Sequence, residues 1–248
     1  MTGPEIPAAG GLSGRLALVT GASRGIGYAI ARQLAAEGAH VIALARTLGG
    51  LEELDDQIRA DGGTATLVQA DLRDFDGLDR LGASIYERWG KLDMLVGNAG
   101  VLGPISPLAH VDAMAWDEVL AVNVTANWRL IRSMDPLLRM APAGRALFVS
   151  SGAAVSRRPY WGVYSLSKAA LECMIATYAK EAAITPVKAN LLNPGPIRTA
   201  MRADAMPGED PETLQGPEVL LPDVLRLLSP GMDVSGRTFD FPTQSWRD

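Results

Sequence analysis

Cysteine and histidine are almost missing from this chain. Cys173 is the only cysteine, which excludes an intrachain disulfide and any cysteine-based metal site. His40 and His110 are the only histidines, far apart and outside any ligand pattern such as HExxH, so neither is read as a metal ligand. Long apolar runs are missing too, none approaching the roughly 20 residues of a membrane span. Residues 1–14 are rich in Gly, Pro and Ala, with neither a basic start nor a long apolar stretch. They read as a disordered lead-in, not a targeting signal, and a soluble cytoplasmic protein is expected. Positive charge is in deficit, with 23 Lys and Arg against 28 Asp and Glu. That balance argues against a nucleic-acid-binding surface.

With 248 residues, 48% hydrophobic and 21% charged, the composition is that of an ordinary globular protein with a sizeable core. No repeat or linker divides residues 15–248, which read as one domain. Short apolar runs predict strands at 15–20, 41–45, 64–69, 92–96, 145–150, 187–192 and 237–241. Helical spacing covers 25–37, 50–60, 75–89, 113–140, 163–184 and 219–228, with a kink expected at Pro136, which has no amide to donate. This alternation predicts an α/β fold: a three-layer, doubly wound parallel sheet of Rossmann type. In such sheets ligands bind beyond the carboxyl ends of the strands.

The first strand runs into Thr20-Gly21-Ala22-Ser23-Arg24-Gly25-Ile26-Gly27, with the spacing TGxxxGxG. Glycines there let the backbone approach a pyrophosphate, and the helix start offers free N–H groups and a partial positive charge. The second strand ends in Ala45-Arg46, where an NAD site usually carries an Asp or Glu for the ribose. Arg24 adds a cation at a helix start, where the dipole disfavours it. A 2′-phosphate between Arg24 and Arg46 accounts for both, so NADP(H) is expected. The alternative is two solvated arginines and NAD(H).

Tyr164 and Lys168 are four residues apart, on one face of the 163–184 helix. Ser150 and Ser151 end the fifth strand, Asn98-Ala99-Gly100 follows the fourth, and Asn123 lies within the helix between them. With Asp71 and Pro194-Gly195-Pro196-Ile197-Arg198-Thr199, this order and spacing resembles the short-chain dehydrogenase/reductase family from about Arg15 to Phe241. The resemblance implies that Tyr164 is the general acid or base and that Ser151, thirteen residues before it, bonds the substrate oxygen. Lys168 would bind the nicotinamide ribose and acidify the tyrosine, since a nearby ammonium favours a phenolate. Asn123 would hold a water of a proton relay. Asp71 would accept from the adenine amino group and Asn98 would pack against the adenine ribose region, with Leu72, Ala99 and Gly100 also at the cofactor. Pro194, Gly195, Ile197 and Thr199 would lie along the nicotinamide, with Ile197 and Thr199 fixing its carboxamide.

Two departures from the family pattern stand out. Gly97 replaces an asparagine common there, which loosens that turn, and residues 201–219, the family's substrate lid, are short and rich in Pro, Glu and Asp. Leu102, Pro104, Ala153, Val155, Tyr160, Trp161, Met201 and Met206 are candidates to line an apolar substrate cleft. Arg157 and Arg158 read as solvated loop residues, with an anionic substrate as the alternative. Cys173 reads as a buried small apolar residue. The expected activity interconverts a carbonyl and a secondary alcohol with NADP(H). The alternatives are an NAD(H)-dependent alcohol dehydrogenase and a nucleotide-binding scaffold without turnover. The resemblance also implies a homodimer or homotetramer packed through the 113–140 and 163–184 helices.

Overall fold

Successive side chains of a strand point to opposite faces, and here both faces are apolar. In β1 (Leu16–Thr20), Ala17 and Val19 enter one hydrophobic cluster while Leu16 and Leu18 enter another. A sheet so built needs a helix layer on each side. The computed structural model, which describes residues 11–248, has both.

The first half of the chain continues through α1 (Gly25–Ala36), β2 (His40–Ala45), α2 (Leu48–Ala60), β3 (Thr64–Gln69), α3 (Phe75–Trp89) and β4 (Met94–Gly97). The second half runs α4 (Ala113–Leu120), α5 (Ala126–Met140), β5 (Arg145–Val149), α6 (Ala153–Ser156), α7 (Gly162–Glu181) and β6 (Lys188–Asn193). It ends with α8 (Ala200–Ala205), α9 (Leu221–Leu228), β7 (Thr238–Asp240) and β8 (Ser245–Arg247). Leu34 of α1, Leu54 of α2 and Val224 of α9 close one cluster; Leu78 of α3, Leu130 of α5 and Leu171 of α7 close the other. The strand order is β3-β2-β1-β4-β5-β6-β7-β8, all neighbours parallel except the β7–β8 pair. The order reverses between β1 and β4, the place where such sheets open a ligand crevice. No helix among the described residues is long and apolar enough to cross a membrane.

Several expectations need correction. The disordered lead-in does not extend to residue 14: Leu12 is buried, and its N–H donates to the Glu37 carbonyl at 3.0 Å. Residues 1–10 of that expectation lie outside the described residues. The single helix expected over 113–140 is interrupted by a π turn, Ala121–Thr125, while Pro136 sits inside the continuous α5. The irregularity thus lies at Asn123, not at the proline; such turns are often found at functional sites. Cys173 is exposed, on the outer side of α7. The short elements α6, α8 and β8 carry too few residues for a periodic signal and were not expected.

At the pole opposite the crevice lies a buried cation that has no carboxylate partner among the described residues. The Arg145 guanidinium donates to the carbonyls of Gly144 (2.8 Å), Pro186 (3.1 Å), Ser229 (2.9 Å) and Pro230. Burial, and Arg15 beside it, pull its pKa down to about 10. The C-terminal end of α9 contributes to this ring of carbonyls, and its dipole favours a cation there.

Gly97 tightens its turn rather than loosening it. A Cβ at this position would stand 2.2 Å from the Phe148 ring and 2.9 Å from the Asn127 amide oxygen. Gly97→Ala is therefore expected to lower stability by about 1–3 kcal/mol, the usual range for overpacking. Urea denaturation measures it; unchanged stability would show that Phe148 has room to move.

Candidate active site

Where β1 and β4 part, their last backbone groups lose strand partners and side chains replace them. The buried Thr20 hydroxyl accepts from the Asn98 and Ala99 N–H groups, both at 3.1 Å, and donates to the Val96 carbonyl at 3.3 Å. The Asn98 amide donates back to the Thr20 and Gly21 carbonyls at 3.0 and 3.3 Å. The glycine loop is thereby laced to the end of β4. Gly21 has φ +65°, and a Cβ there would come 2.9 Å from Ala99 Cα. A Cβ on Gly27 would come 2.4 Å from the Asn98 amide nitrogen, so that glycine serves the packing behind the loop.

Above these tips lies a cleft of about 760 Å³. Gly21, Ser23, Arg24, Gly25 and Ile26 form one wall, and Arg46, Asp71 and Leu72 stand on the far side. Asn98, Ala99 and Gly100 form the floor; Ser151, Tyr164, Lys168, Pro194, Gly195 and Thr199 line the other end. Three expected site residues are not on this surface. Gly27 lies behind the loop, Asn123 is fully buried behind Lys168, and the Ile197 side chain is packed in the core. Any contact of Ile197 with a dinucleotide is left to its backbone.

The cleft suits a dinucleotide. Arg24 precedes α1 in extended conformation without a side-chain cap, and the first turn of α1 carries no acidic residue. The N–H groups of that turn are therefore available to an anion, with the helix dipole behind them. Arg24 and Arg46 form no salt bridge among the described residues, whereas Asp71 is held by Arg73 at 2.6 Å. Arg73, and to a lesser degree Arg46, keep the Asp71 carboxyl below its ordinary pKa. The cap of α3 is Asp74, which accepts from the Gly77 N–H.

At the other end, the first turn of α7 brings Tyr164 to the cleft. Trp161 meets its ring edge-on at 6.1 Å. The Lys168 ammonium lies 5.8 Å from the tyrosine ring centre and donates to the Val149 carbonyl at 2.8 Å. Asn123, in the π turn, clamps both backbone groups of Val101 at 2.9 Å and donates to the Ser167 hydroxyl at 2.9 Å. Ser167 in turn donates to the Tyr164 carbonyl at 2.8 Å. The Asn123 backbone carbonyl accepts from the Asn127 side-chain amide at 2.8 Å.

The family model for short chain dehydrogenases matches residues 15–210. The chain belongs to the short-chain dehydrogenase family. It is 35% identical over 233 residues to the oxidoreductase YciK of Escherichia coli K12, covering 92% of each chain. A solved structure described as a short chain dehydrogenase from Pseudomonas syringae superposes with TM-score 0.91 at 37% identity, over 97% of this chain and 98% of that one. Another, from Escherichia coli CFT073 and in complex with NADPH, has TM-score 0.87 at 36% identity, over 92% and 97%. As a member of this family the protein is an oxidoreductase acting on CH–OH groups.

The electrostatics of this short-chain dehydrogenase differ from the expectation on one point. Burial pushes the Tyr164 phenol above its ordinary pKa, with Ser151 pulling partly back. Burial also lowers Lys168 to about 8, against the opposing pull of Glu172. The reason is geometric: the ammonium turns to a backbone carbonyl, and the dry surroundings disfavour both charged forms. The protein's own groups therefore hold Tyr164 as a neutral phenol.

Of the expected substrate residues, Leu102, Trp161 and Met201 line the cleft. Val155 and Tyr160 are exposed, Arg157 and Arg158 stand on the surface between them, and Met206 lines a separate small pocket. Within residues 201–219, Arg202 makes a two-pronged contact with Glu209, both distances 2.6 Å. Thr20 was quoted from the sequence only as the start of the glycine motif, with no role of its own, and Asn127 and Glu172 were not singled out; Glu172 has a legible signal, four residues after Lys168 on the same helix face. Thr20→Val, nearly isosteric, is expected to destabilise by about 2 kcal/mol or more, because two N–H groups lose their acceptor. Denaturant unfolding measures this, and a neutral result would mean that the lacing at the strand tips contributes little.

Proposed function

We propose that this protein reduces a ketone or 3-oxoacyl carbonyl to a secondary alcohol with NADPH, with Tyr164 giving the proton. One observation carries the reading: a buried neutral phenol faces the same cleft as Ser151, Lys168 and a helix N-terminus flanked by two arginines. The dinucleotide, when bound, supplies the hydride. Ser151 orients the carbonyl oxygen, and Tyr164, held protonated by burial, donates to it as negative charge develops. Lys168, fixed by the Val149 carbonyl, offers its remaining N–H groups to the nicotinamide ribose. Asn123 and Ser167 hold the start of α7 against the loop after β4. Arg24 and Arg46 receive the 2′-phosphate, a role supported by the NADPH carried by the relative from Escherichia coli CFT073.

The substrate end, with Leu102, Trp161 and Met201, favours an apolar carbonyl compound. Trp128, Met140 and Leu166 are exposed on α5 and α7, which supports a homo-oligomer through those helices. A lone exposed cysteine suits the reducing cytoplasm.

A panel of ketones, diketones and 3-oxoacyl thioesters, followed by nicotinamide absorbance, tests the activity. Tyr164→Phe is expected to lower kcat by about 10²-fold or more while leaving NADPH binding within a few-fold. Undiminished turnover would remove Tyr164 from the mechanism. In the same assay kcat/KM is expected to favour NADPH over NADH. Arg46→Ala should narrow that preference about tenfold, from the loss of one charge-assisted contact to phosphate. An NADH preference in the unaltered protein would refute the cofactor assignment.

A further inference from the structure

The family model ends at residue 210, yet the chain that follows returns to the catalytic helix. Glu172 of α7 accepts from the Ser150 hydroxyl at 2.5 Å and takes a two-pronged contact from Arg247 of β8, at 2.9 and 2.7 Å. Ser150 is the buried neighbour of Ser151, and Glu172 lies one helical turn beyond Lys168. The same hairpin reaches the loop after β6. Asp240 of β7 accepts from the Asn193 amide at 2.5 Å, and Asn193 in turn accepts from the Gly195 N–H at 3.2 Å. A Cβ on Gly195 would stand 2.4 Å from Pro242, so the turn between β7 and β8 is packed directly against that loop.

We infer that the C-terminal hairpin is part of the active site, with Arg247 and Glu172 acting as positioning residues that set the charge on Lys168 and the placement of Ser150 and Ser151. The charged and titratable groups facing Lys168 are Tyr164 and Glu172 of α7, with Arg247 of β8 on Glu172 and Asp240 of β7 beside Arg247. β5, β6 and the π turn contribute the neutral Ser150, Asn193 and Asn123. Arg247 shares the charge of Glu172, which limits how strongly that carboxylate holds a proton on Lys168. This makes the two variants act in opposite directions. Glu172→Gln keeps an acceptor for Ser150 but removes the charge, so Lys168 loses its proton at lower pH. Arg247→Met leaves the carboxylate charge unshared, so Lys168 keeps its proton to higher pH. A hairpin electrostatically remote from Lys168 would give no such opposition.

The chain has four lysines, so labelling them with carbon-13 at Cε gives a spectrum simple enough to follow Lys168, assigned through Lys168→Arg. The unaltered protein is expected to titrate there near pH 8. Glu172→Gln should lower the midpoint by about one pH unit and Arg247→Met should raise it by about half a unit. An unmoved midpoint in Glu172→Gln overturns the inference. No shift, or a downward one, in Arg247→Met overturns the part given to Arg247. Should Arg247→Met fail to fold, Arg247→Lys replaces it: it keeps the cation, so the midpoint should stay while kcat falls about tenfold from misplacement of the serines. An unchanged kcat then overturns it. The catalytic consequence rests on the reading of Tyr164 and Lys168 given above, and the two fail separately. Turnover surviving in Tyr164→Phe removes that reading alone, whereas lysine midpoints that do not move remove this inference alone.

Discussion

Two strands that diverge must leave backbone groups without partners, and the threonine at the end of β1 resolves this for the whole molecule. Its hydroxyl takes two N–H groups from the chain leaving β4 and gives its own proton to β4 itself. The Asn98 amide completes the exchange by bonding the carbonyls at the start of the glycine loop. The loop's path, the floor of the cleft and the direction in which α1 departs all follow from these bonds. Everything at the dinucleotide end hangs on a hydroxyl of zero exposure.

The other end of the cleft depends on dryness. A phenol and an ammonium placed in an apolar setting both move toward their neutral forms. The charged residues nearby, Glu172, Arg247 and Asp240, are themselves largely withdrawn from solvent. Proton positions in this region are thus governed by a few close charges rather than by bulk water, and small displacements of the hairpin carry electrostatic weight that they would lack on a surface.

The alternating strands and helices were legible in the sequence because burial on both faces of a parallel sheet requires nearly continuous apolar runs, such as 16–20 and 41–45. The nucleotide loop and the Tyr164–Lys168 pair were legible because both are local patterns on one element. What was not legible depends on contacts between distant segments. Gly97 was read as a weak point because its consequence comes from Phe148 on a neighbouring strand. Asn123 was placed in a regular helix because an extra residue per turn leaves no mark on apolar spacing. Cys173 sits at a helix position whose burial depends on which layer α7 faces. The Arg247 contact with Glu172 requires knowing where the last ten residues return, and no periodicity records that.

Arg145 has the chain itself as its solvent. The carbonyls that receive it come from residues 144, 186, 229 and 230, so most of its shell is synthesised long after the arginine. Two of its four carbonyl partners, Ser229 and Pro230, follow α9, so the closing helix and the base of β5 are tied through one guanidinium and the seating of one is felt by the other.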